Sequence, residues 1–265
     1  MGFVKTKKEI AEIQKVVGNP RFTNCEMLMV EFNTRPEIVK HVLPPGLEPG
    51  PEPVIAAMVG RWQSNGVGDF EGGAIYVAAR HGDIEATYVL AMYMTTDTAI
   101  MYGREVFGEP KKQAKMSLHH LGNRMNGWVE RGGVRLIEME ADLQKNLDIS
   151  QPIKLPSFNI KARPATNGIG LEEDAILTLA ELEGRLTTHR EGKGSLVLRG
   201  TINDPLDELE IVDIRRAVYF EGDVIGQART IGRIPAKDFL PYLYARMEDF
   251  SAPEFNTERN LKSNL

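Results

Sequence analysis

The sequence predicts an α+β fold that is mainly antiparallel β, a barrel or sandwich with peripheral helices. Many short segments alternate polar and apolar residues, turn signals rich in glycine and proline separate them, and few stretches have helical periodicity. With 265 residues, 42% of them hydrophobic, the chain can bury a full core. We predict a single domain over residues 1–265, with residues 248–265 as a loosely ordered tail.

Two short helices are predicted in the N-terminal part of the chain. The first lies within residues 1–20, where Thr6 and Glu9 match a capping box and Gly18-Asn19-Pro20 ends the helix. Thr34 and Glu37 match a second capping box, with a proline at the first helical position. The segment between the two helices alternates in the manner of a strand.

Strands dominate the middle of the chain. A rigid loop containing five prolines, residues 44–53, precedes them. Residues 66–73 are glycine-rich and are predicted to form a loop that carries Glu71. This loop lacks the strand-to-helix context of a phosphate cradle, so we exclude a nucleotide site. The strands predicted here cover residues 54–62, 74–80 and 84–94.

Hairpin signals continue in the C-terminal half and are followed by one helix, at residues 238–247. Residues 175–188 fit either a helix or a strand. The other strands predicted in this half cover residues 128–130, 134–140, 158–161, 196–198, 211–220 and 224–230.

Composition limits the possible partners and compartment. The net charge of −5 is spread along the chain without a basic stripe, so we expect no nucleic acid partner. The single cysteine, Cys25, excludes an intramolecular disulfide framework. No apolar signal region follows the N-terminus, and the longest apolar run, residues 87–94, is too short to span a bilayer. We expect a soluble cytoplasmic protein without a membrane partner.

The segment GREVFGEPKK, residues 103–112, has unusual local chemistry. It follows a short predicted helix at residues 97–102. Pro110 has no N–H and biases Glu109 toward an extended backbone, which places Lys111 and Lys112 on a stiff, non-helical elbow. A solvated basic turn and a functional site are both compatible with these residues.

The Gly-Arg-Glu, the short spacer and the Pro-Lys-Lys of this segment resemble the active-site segment of the acetoacetate decarboxylase family. The resemblance implies a closed, cone-like barrel whose lysine faces an interior pocket, and it favours a strand at residues 175–188. By position it assigns the Schiff-base lysine to Lys111, and by analogy we expect a homo-oligomer. The segments that resemble the family, in the same order, are residues 24–34, 66–77, 87–112 and 194–247.

A catalytic lysine needs more than a charged neighbour. A lysine in water has a pKa near ~10.4 and is neutral in about one molecule in 2,500 at pH 7, whereas nucleophilic attack needs the neutral amine. A second ammonium ~6 Å away, at an effective dielectric of ~20, disfavours the charge by about 2.8 kcal/mol. Lys112 is our candidate for this support, but side chains of an extended pair point to opposite faces, which weakens the repulsion. Burial of Lys111 in an apolar pocket has to contribute the rest.

Further candidates depend on the resemblance. Family members place a carboxylate that touches the substrate where Glu71 lies here, so Glu71 is the predicted acid or base; a solvated loop glutamate is the alternative. Arg104 and Glu105 either anchor a substrate carboxylate or position the elbow. The other predicted substrate contacts are Phe107, Cys25 and one of Tyr242 and Tyr244.

Two positions depart from the pattern of decarboxylating members of the family. Cys25 stands where those members carry an arginine, and Ala57 stands where they carry a second glutamate. An arginine can clamp a carboxylate and a second carboxylate can repel it. Losing both argues against acetoacetate as the natural substrate and favours a larger keto acid.

Other chemistries find no support in the sequence. The five histidines lack metal-ligand spacing, so we predict no metal, and we predict no cofactor. No Gly-x-Ser-x-Gly elbow is present, and Cys25 has no base partner at the level of sequence.

The reaction that fits is imine catalysis. Lys111 condenses with a ketone, the iminium acts as an electron sink, and a β-keto acid loses carbon dioxide to leave an enamine. The first alternative is a pyruvate-dependent aldolase-dehydratase, in which the enamine attacks an aldehyde. The second is a non-catalytic ligand-binding barrel, which would keep the pocket without needing a neutral lysine.

Overall fold

The computed structural model describes residues 2–251. The helices among these residues are α1 (Lys7–Val17), α2 (Pro36–Val42), α3 (Asp97–Tyr102) and α4 (Ala236–Ala245). None of them is long and apolar enough to cross a bilayer. Of the tail predicted at residues 248–265, positions 252–265 lie outside the described residues.

The described strands belong to one twelve-stranded sheet. Residues 175–188 are a strand, as the family resemblance predicts, and they are continuous with residues 196–198. The strands are β1 (Arg21–Asn33), β2 (Glu48–Pro49), β3 (Val54–Ser64), β4 (Gly68–His81), β5 (Ile84–Met94), β6 (Lys111–Gln113), β7 (Lys115–Leu121), β8 (Arg124–Arg131), β9 (Val134–Asn146), β10 (Ile153–Lys161), β11 (Ala175–Leu198) and β12 (Asp213–Ile234).

Seven of these strands close into a barrel in the order β10-β5-β4-β3-β1-β12-β11. The ring closes at β10, which pairs with β11 antiparallel on one side and with β5 parallel on the other. Beyond β11 the sheet continues through β9, β8 and β7. Of these, β7 packs against β3 and β4, and β8 packs against β3. The predicted closed barrel with peripheral helices is confirmed.

Side-chain alternation along the barrel strands divides the core into two clusters. The inner cluster, which includes Met27, Met58 and Phe220, is built from barrel strands and Ala99 of α3. The larger outer cluster also takes residues from β7, β8, β9, α2 and α4, for example Val129 and Phe239. Along each barrel strand, successive side chains therefore point alternately into the barrel and out of it.

The predicted N-terminal helix is confirmed, including its cap. The Thr6 hydroxyl accepts a hydrogen bond from the Glu9 N–H, and the Glu9 carboxylate accepts one from the Thr6 N–H. The second predicted capping box is wrong, although its helix forms. Arg35 is the N-cap of α2 without a side-chain hydrogen bond, and the buried Thr34 hydroxyl has no partner among the described residues. The proline at the first position of α2 suits the helix start.

The glycine-rich segment at residues 66–73 is mostly strand, which corrects the predicted loop. The turn is short, and β4 begins at Gly68 and pairs with β3, placing Phe70 opposite Trp62 and Glu71 opposite Arg61. Because successive side chains of a strand point to opposite faces, Phe70 and Glu71 lie on different sides of the barrel wall.

The elbow begins later than the sequence predicts. Helix α3 continues into a π-helical turn, Gly103–Phe107, which ends at Gly108 with φ of +83°. The Gly108 N–H donates to the Gly103 carbonyl at 2.9 Å and closes this turn. After Pro110 the chain is extended as β6, which pairs parallel with β5 and places Lys111 beside Met92.

Among the residues of the elbow, Gly108 is predicted to be the one whose substitution lowers the stability of the protein most. A Cβ at this position would lie 2.5 Å from the Lys161 backbone nitrogen, in addition to the cost of the positive φ. Gly82→Ala is the matched control, because Gly82 also has a positive φ of +57° but has open space around it. In urea denaturation we expect Gly82→Ala to lose about 1 kcal/mol and Gly108→Ala clearly more. Equal losses would show that the contact with β10 does not constrain the elbow.

Candidate active site

Lys111 lies in the wall of the barrel with its side chain inside. Only 8% of the residue is exposed, and its Nζ lies 5.9 Å from the centroid of the Phe70 ring, which belongs to the inner cluster. Strand alternation in β6 sends the next side chain, Lys112, to the outside. The two lysines therefore do not share a cavity.

A small cavity of about 60 Å³ surrounds the Lys111 amine. Helix α1 and the β3–β4 turn contribute Val16 and Val67 to its lining. The rest of the lining is largely aromatic and sulfur-containing: Phe22, Trp62, Phe70, Tyr76, Tyr102, Phe107, Met58, Met92 and Met94.

Glu109 is the partner of Lys111 in this cavity. A Glu109 Oε2 lies 2.7 Å from Lys111 Nζ, and the two side chains are 12% and 8% exposed. The contact has ion-pair distance without hydrogen-bond alignment, and Oε2 has no hydrogen-bond partner among the described residues. Glu109 and Lys111 are the charged residues among those lining the cavity. The cavity thus holds one amine and one carboxyl group in apolar surroundings.

Gly103 makes room for this pair. A Cβ at Gly103 would lie 2.3 Å from Glu109 Oε2 and 2.6 Å from Lys111 Nζ. No side chain larger than hydrogen fits there unless the pair moves. The first residue of the Gly-Arg-Glu segment is therefore a glycine because any larger side chain would clash with the Glu109–Lys111 pair.

Two tyrosine hydroxyl groups are hydrogen-bond donors at the cavity. Burial, with the Glu109 carboxylate adding to it, raises the pKa of Tyr102 to about 12, and the same two causes raise the pKa of Tyr76. The Tyr102 hydroxyl is used, since it donates to the Val17 carbonyl at 2.9 Å. The Tyr76 hydroxyl has no hydrogen-bond partner among the described residues, so it can donate to a ligand.

Lys112 has a structural role outside the barrel. Its Nζ donates to the Asn203 carbonyl at 2.6 Å and to the Asp204 carboxylate at 3.1 Å. The buried Asp204 also accepts hydrogen bonds from Tyr93 and Arg131. Lys112 therefore ties the turn at residues 203–204 to β6.

Glu71, the acid or base predicted from the family resemblance, is not brought to Lys111. It lies on the outer face of β4 and pairs with Arg61 at 3.4 Å, whereas its neighbour Phe70 faces the cavity. The reason is the strand that replaces the predicted loop, because alternation fixes which of the two residues faces inward. We accordingly transfer the candidate acid-base role to Glu109.

The other predicted contacts separate into those near the cavity and those away from it. Phe107 lines the cavity. Arg104 donates to the Lys111 carbonyl at 3.1 Å, so it braces the elbow, and with Glu105 it lines a pocket on the outer side. Tyr242 lies in a second cavity outside the barrel, and the Tyr244 hydroxyl donates to a surface carbonyl, that of Gly168.

The two positions that depart from the family pattern face opposite ways. Cys25 is fully buried in the inner cluster but does not line the cavity. Burial, and secondarily the charge of Asp223, raises its pKa to about 12, so the thiol is a neutral packing group at neutral pH. Ala57 belongs to the outer cluster. Within residues 2–251, no group of three or more His, Cys, Asp or Glu side chains is arranged to hold a metal ion.

Sequence reasoning missed Glu109, although a signal was present. Pro110 biases Glu109 toward an extended backbone, and residues two apart in an extended segment lie on one face. In the structure the Lys111 N–H donates to the Glu109 carbonyl at 2.9 Å, so a three-residue turn at Pro110 brings the two residues together. No comparable signal marked Tyr76, because its position at the cavity depends on which residues of β4 point into the barrel.

Comparison with known proteins agrees with the fold and the motif. The sequence model of the family described as acetoacetate decarboxylase matches residues 6–233. An acetoacetate decarboxylase of Paraburkholderia phytofirmans is 27% identical over 215 residues, which cover 78% of this chain and 84% of the relative. The crystal structure of acetoacetate decarboxylase from Legionella pneumophila matches with a TM-score of 0.75 and 25% identity, over 82% of this chain and 88% of that one.

A more distant structure shares the fold alone. It is the enduracididine biosynthesis enzyme MppR, complexed with the condensation product of pyruvate and imidazole 4-carboxaldehyde. Its TM-score is 0.69 at 20% identity, over 80% of this chain and 88% of that one. Because the family model spans most of the chain and the lysine segment lies within the matched residues, this chain belongs to the acetoacetate decarboxylase family.

Proposed function

We propose that the chain is a Schiff-base-forming carbon–carbon lyase that decarboxylates a β-keto acid through an imine on Lys111. The observation that carries this proposal is the Lys111 amine, buried in an apolar cavity 2.7 Å from the Glu109 carboxyl group. A buried amine with one adjacent carboxylate can transfer its proton and become a nucleophile. Membership of the family supports the same reaction class.

The imine forms in two proton-balanced steps. The ammonium of Lys111 gives a proton to Glu109, and the neutral amine attacks the ketone carbon of the substrate to give a carbinolamine. The protonated Glu109 then returns its proton to the departing hydroxyl group, which leaves as water. The products of this stage are a positively charged iminium and an ionised Glu109.

Carbon dioxide then leaves with the bonding electrons flowing into the iminium. The bond between the α-carbon and the carboxylate breaks, its electron pair forms the enamine, and the nitrogen becomes neutral. The enamine carbon takes a proton, and water hydrolyses the resulting iminium to release the ketone and the amine. Glu109, ionised at this stage, first takes a proton from solvent through the outer pocket that it also lines with Arg104 and Lys161, and then gives that proton to the enamine carbon.

The electrostatics of the cavity favour decarboxylation over aldol condensation. Among the described residues, the lining has no cation except Lys111, so a substrate carboxylate has no other ion-pair partner there. Two carboxylates ~6 Å apart at an effective dielectric of ~20 repel by about 2.8 kcal/mol, which is relieved when one leaves as carbon dioxide. Pyruvate would keep its carboxylate throughout condensation and would gain no such relief.

The volume of the cavity, about 60 Å³ without a ligand, does not select between acetoacetate and the larger keto acid that the missing arginine and glutamate favour. The aldolase-dehydratase alternative is supported by one observation, the fold neighbour that holds a pyruvate–aldehyde condensation product.

The first prediction is that Lys111 carries the imine. Borohydride reduction in the presence of acetoacetate should modify Lys111, as mapped by mass spectrometry of its peptides. Lys111→Ala and Lys111→Arg should abolish the adduct, because a guanidinium stays charged. Lys112→Met is the matched control and should keep it. An adduct on Lys112, or no adduct with any ketone, would favour the ligand-binding barrel.

The second prediction separates Glu109 from Glu71. Glu109→Gln keeps the size of the side chain but cannot accept a proton, so carbon dioxide release should fall by ~10² or more. Glu71→Gln loses only an exposed pairing with Arg61 and should stay close to wild type. The reverse ranking would return the acid-base role to Glu71.

The third prediction concerns the fate of the enamine. Carbon dioxide release from acetoacetate should exceed condensation of pyruvate with an aromatic aldehyde, because the cavity has no free cation for a retained carboxylate. Both rates can be followed on the same preparation, with Lys111→Ala as the blank. Condensation without carbon dioxide release would identify an aldolase instead.

A further inference from the structure

A second cavity lies on the outer side of the barrel wall, behind the elbow. Its volume is about 660 Å³, within the range of ~300–1,000 Å³ that small-molecule sites occupy. It is bounded by α2, α4, residues 203–209 and the outer faces of β5 and β6. We call it the outer cavity; its apolar walls include Ile38, Val42, Leu90, Leu206, Leu209 and Tyr242.

Two cations line the outer cavity and keep hydrogen-bond donors free. Lys112 uses two of its three N–H groups, on Asn203 and Asp204. Arg246 donates to the carbonyls of Ile160 and Gly108, which leaves one N–H on each of its two terminal nitrogens, while its Nε is buried without a hydrogen-bond partner among the described residues. Burial lowers the pKa of Arg246, so a carboxylate beside it would offset part of its cost of burial.

The acidic residues of the outer cavity do not cancel this charge. Asp204 is already bound by Lys112, Arg131 and Tyr93. Glu37 and Glu208 are exposed at the rim, where solvent screens them. The buried end of the cavity therefore carries positive charge, while its walls are apolar.

We propose that the outer cavity binds a small amphipathic carboxylate, with its charged end at Lys112 and Arg246 and its apolar body between α2 and α4. A fatty or aryl carboxylic acid has this chemistry. The site is separate from the Lys111 cavity, with Met92 in the wall between them. It also contacts the back of the elbow, since Pro110 lines it and Arg246 donates to Gly108.

Decanoate and decanol form a suitable pair of probes, to be titrated calorimetrically into the full-length chain. The carboxylate should bind about tenfold or more tightly than the alcohol, as expected of a charge-assisted hydrogen bond. Ala245→Trp places a large side chain in the cavity from an exposed position on α4. This variant should weaken the binding of decanoate about tenfold or more. Lys237→Trp, exposed on the same helix and away from the cavity, should leave binding unchanged.

Lys111→Ala distinguishes the two cavities and should retain full decanoate binding. Loss of binding in that variant would put the carboxylate in the lysine cavity and overturn the proposal. Equal affinity for decanol, absence of decanoate binding, or unchanged binding in Ala245→Trp would also overturn it. If Ala245→Trp instead dissociates an oligomer in sedimentation, the outer cavity is an interface between copies of the chain. None of these outcomes depends on whether Lys111 forms an imine.

Discussion

The extended backbone after Pro110 is the constraint on which the site depends. Because β6 is a strand, its two lysines point to opposite sides of the barrel wall. Glu109 lies just before β6, in a turn closed by the hydrogen bond from the Lys111 N–H to the Glu109 carbonyl, and its carboxyl group lies 2.7 Å from the Lys111 amine. Gly108 allows the chain to turn into this strand, and Gly103 leaves space for the amine and the carboxyl group. Local backbone geometry thus separates the lysine that we propose to be reactive from a structural one.

The surroundings of the pair determine what it can do. Burying two charges is costly, and the cost is offset only when each has a close partner. In the lysine cavity the partner of the amine is a carboxyl group that can also take its proton. The pair therefore consists either of two opposite charges or of two neutral groups, and neither form leaves a single buried charge without a partner. The apolar, aromatic lining strengthens every electrostatic interaction inside, including the one between Glu109 and the proposed iminium.

The sequence predicted the barrel, the family and the position of Lys111, because strand periodicity and the Pro-Lys-Lys segment are local signals. It misplaced Glu71, because the glycines at residues 66–73 suggest a loop whereas pairing with β3 extends the strand through them. Pairing with a distant strand decides which residues of a strand point into the barrel. A short window of the sequence does not contain that information. The outer cavity could not be predicted for the same reason, since α2, α4 and the turn at residues 203–209 meet only in the folded chain.

The most direct test of the central claim is a crystal structure of the chain after borohydride reduction in the presence of acetoacetate. We expect continuous density from Lys111 Nζ to the reduced product inside the lysine cavity, with the Glu109 carboxyl group within hydrogen-bond distance of that nitrogen. An unmodified Lys111 beside an adduct on Lys112 in the outer cavity would contradict the account.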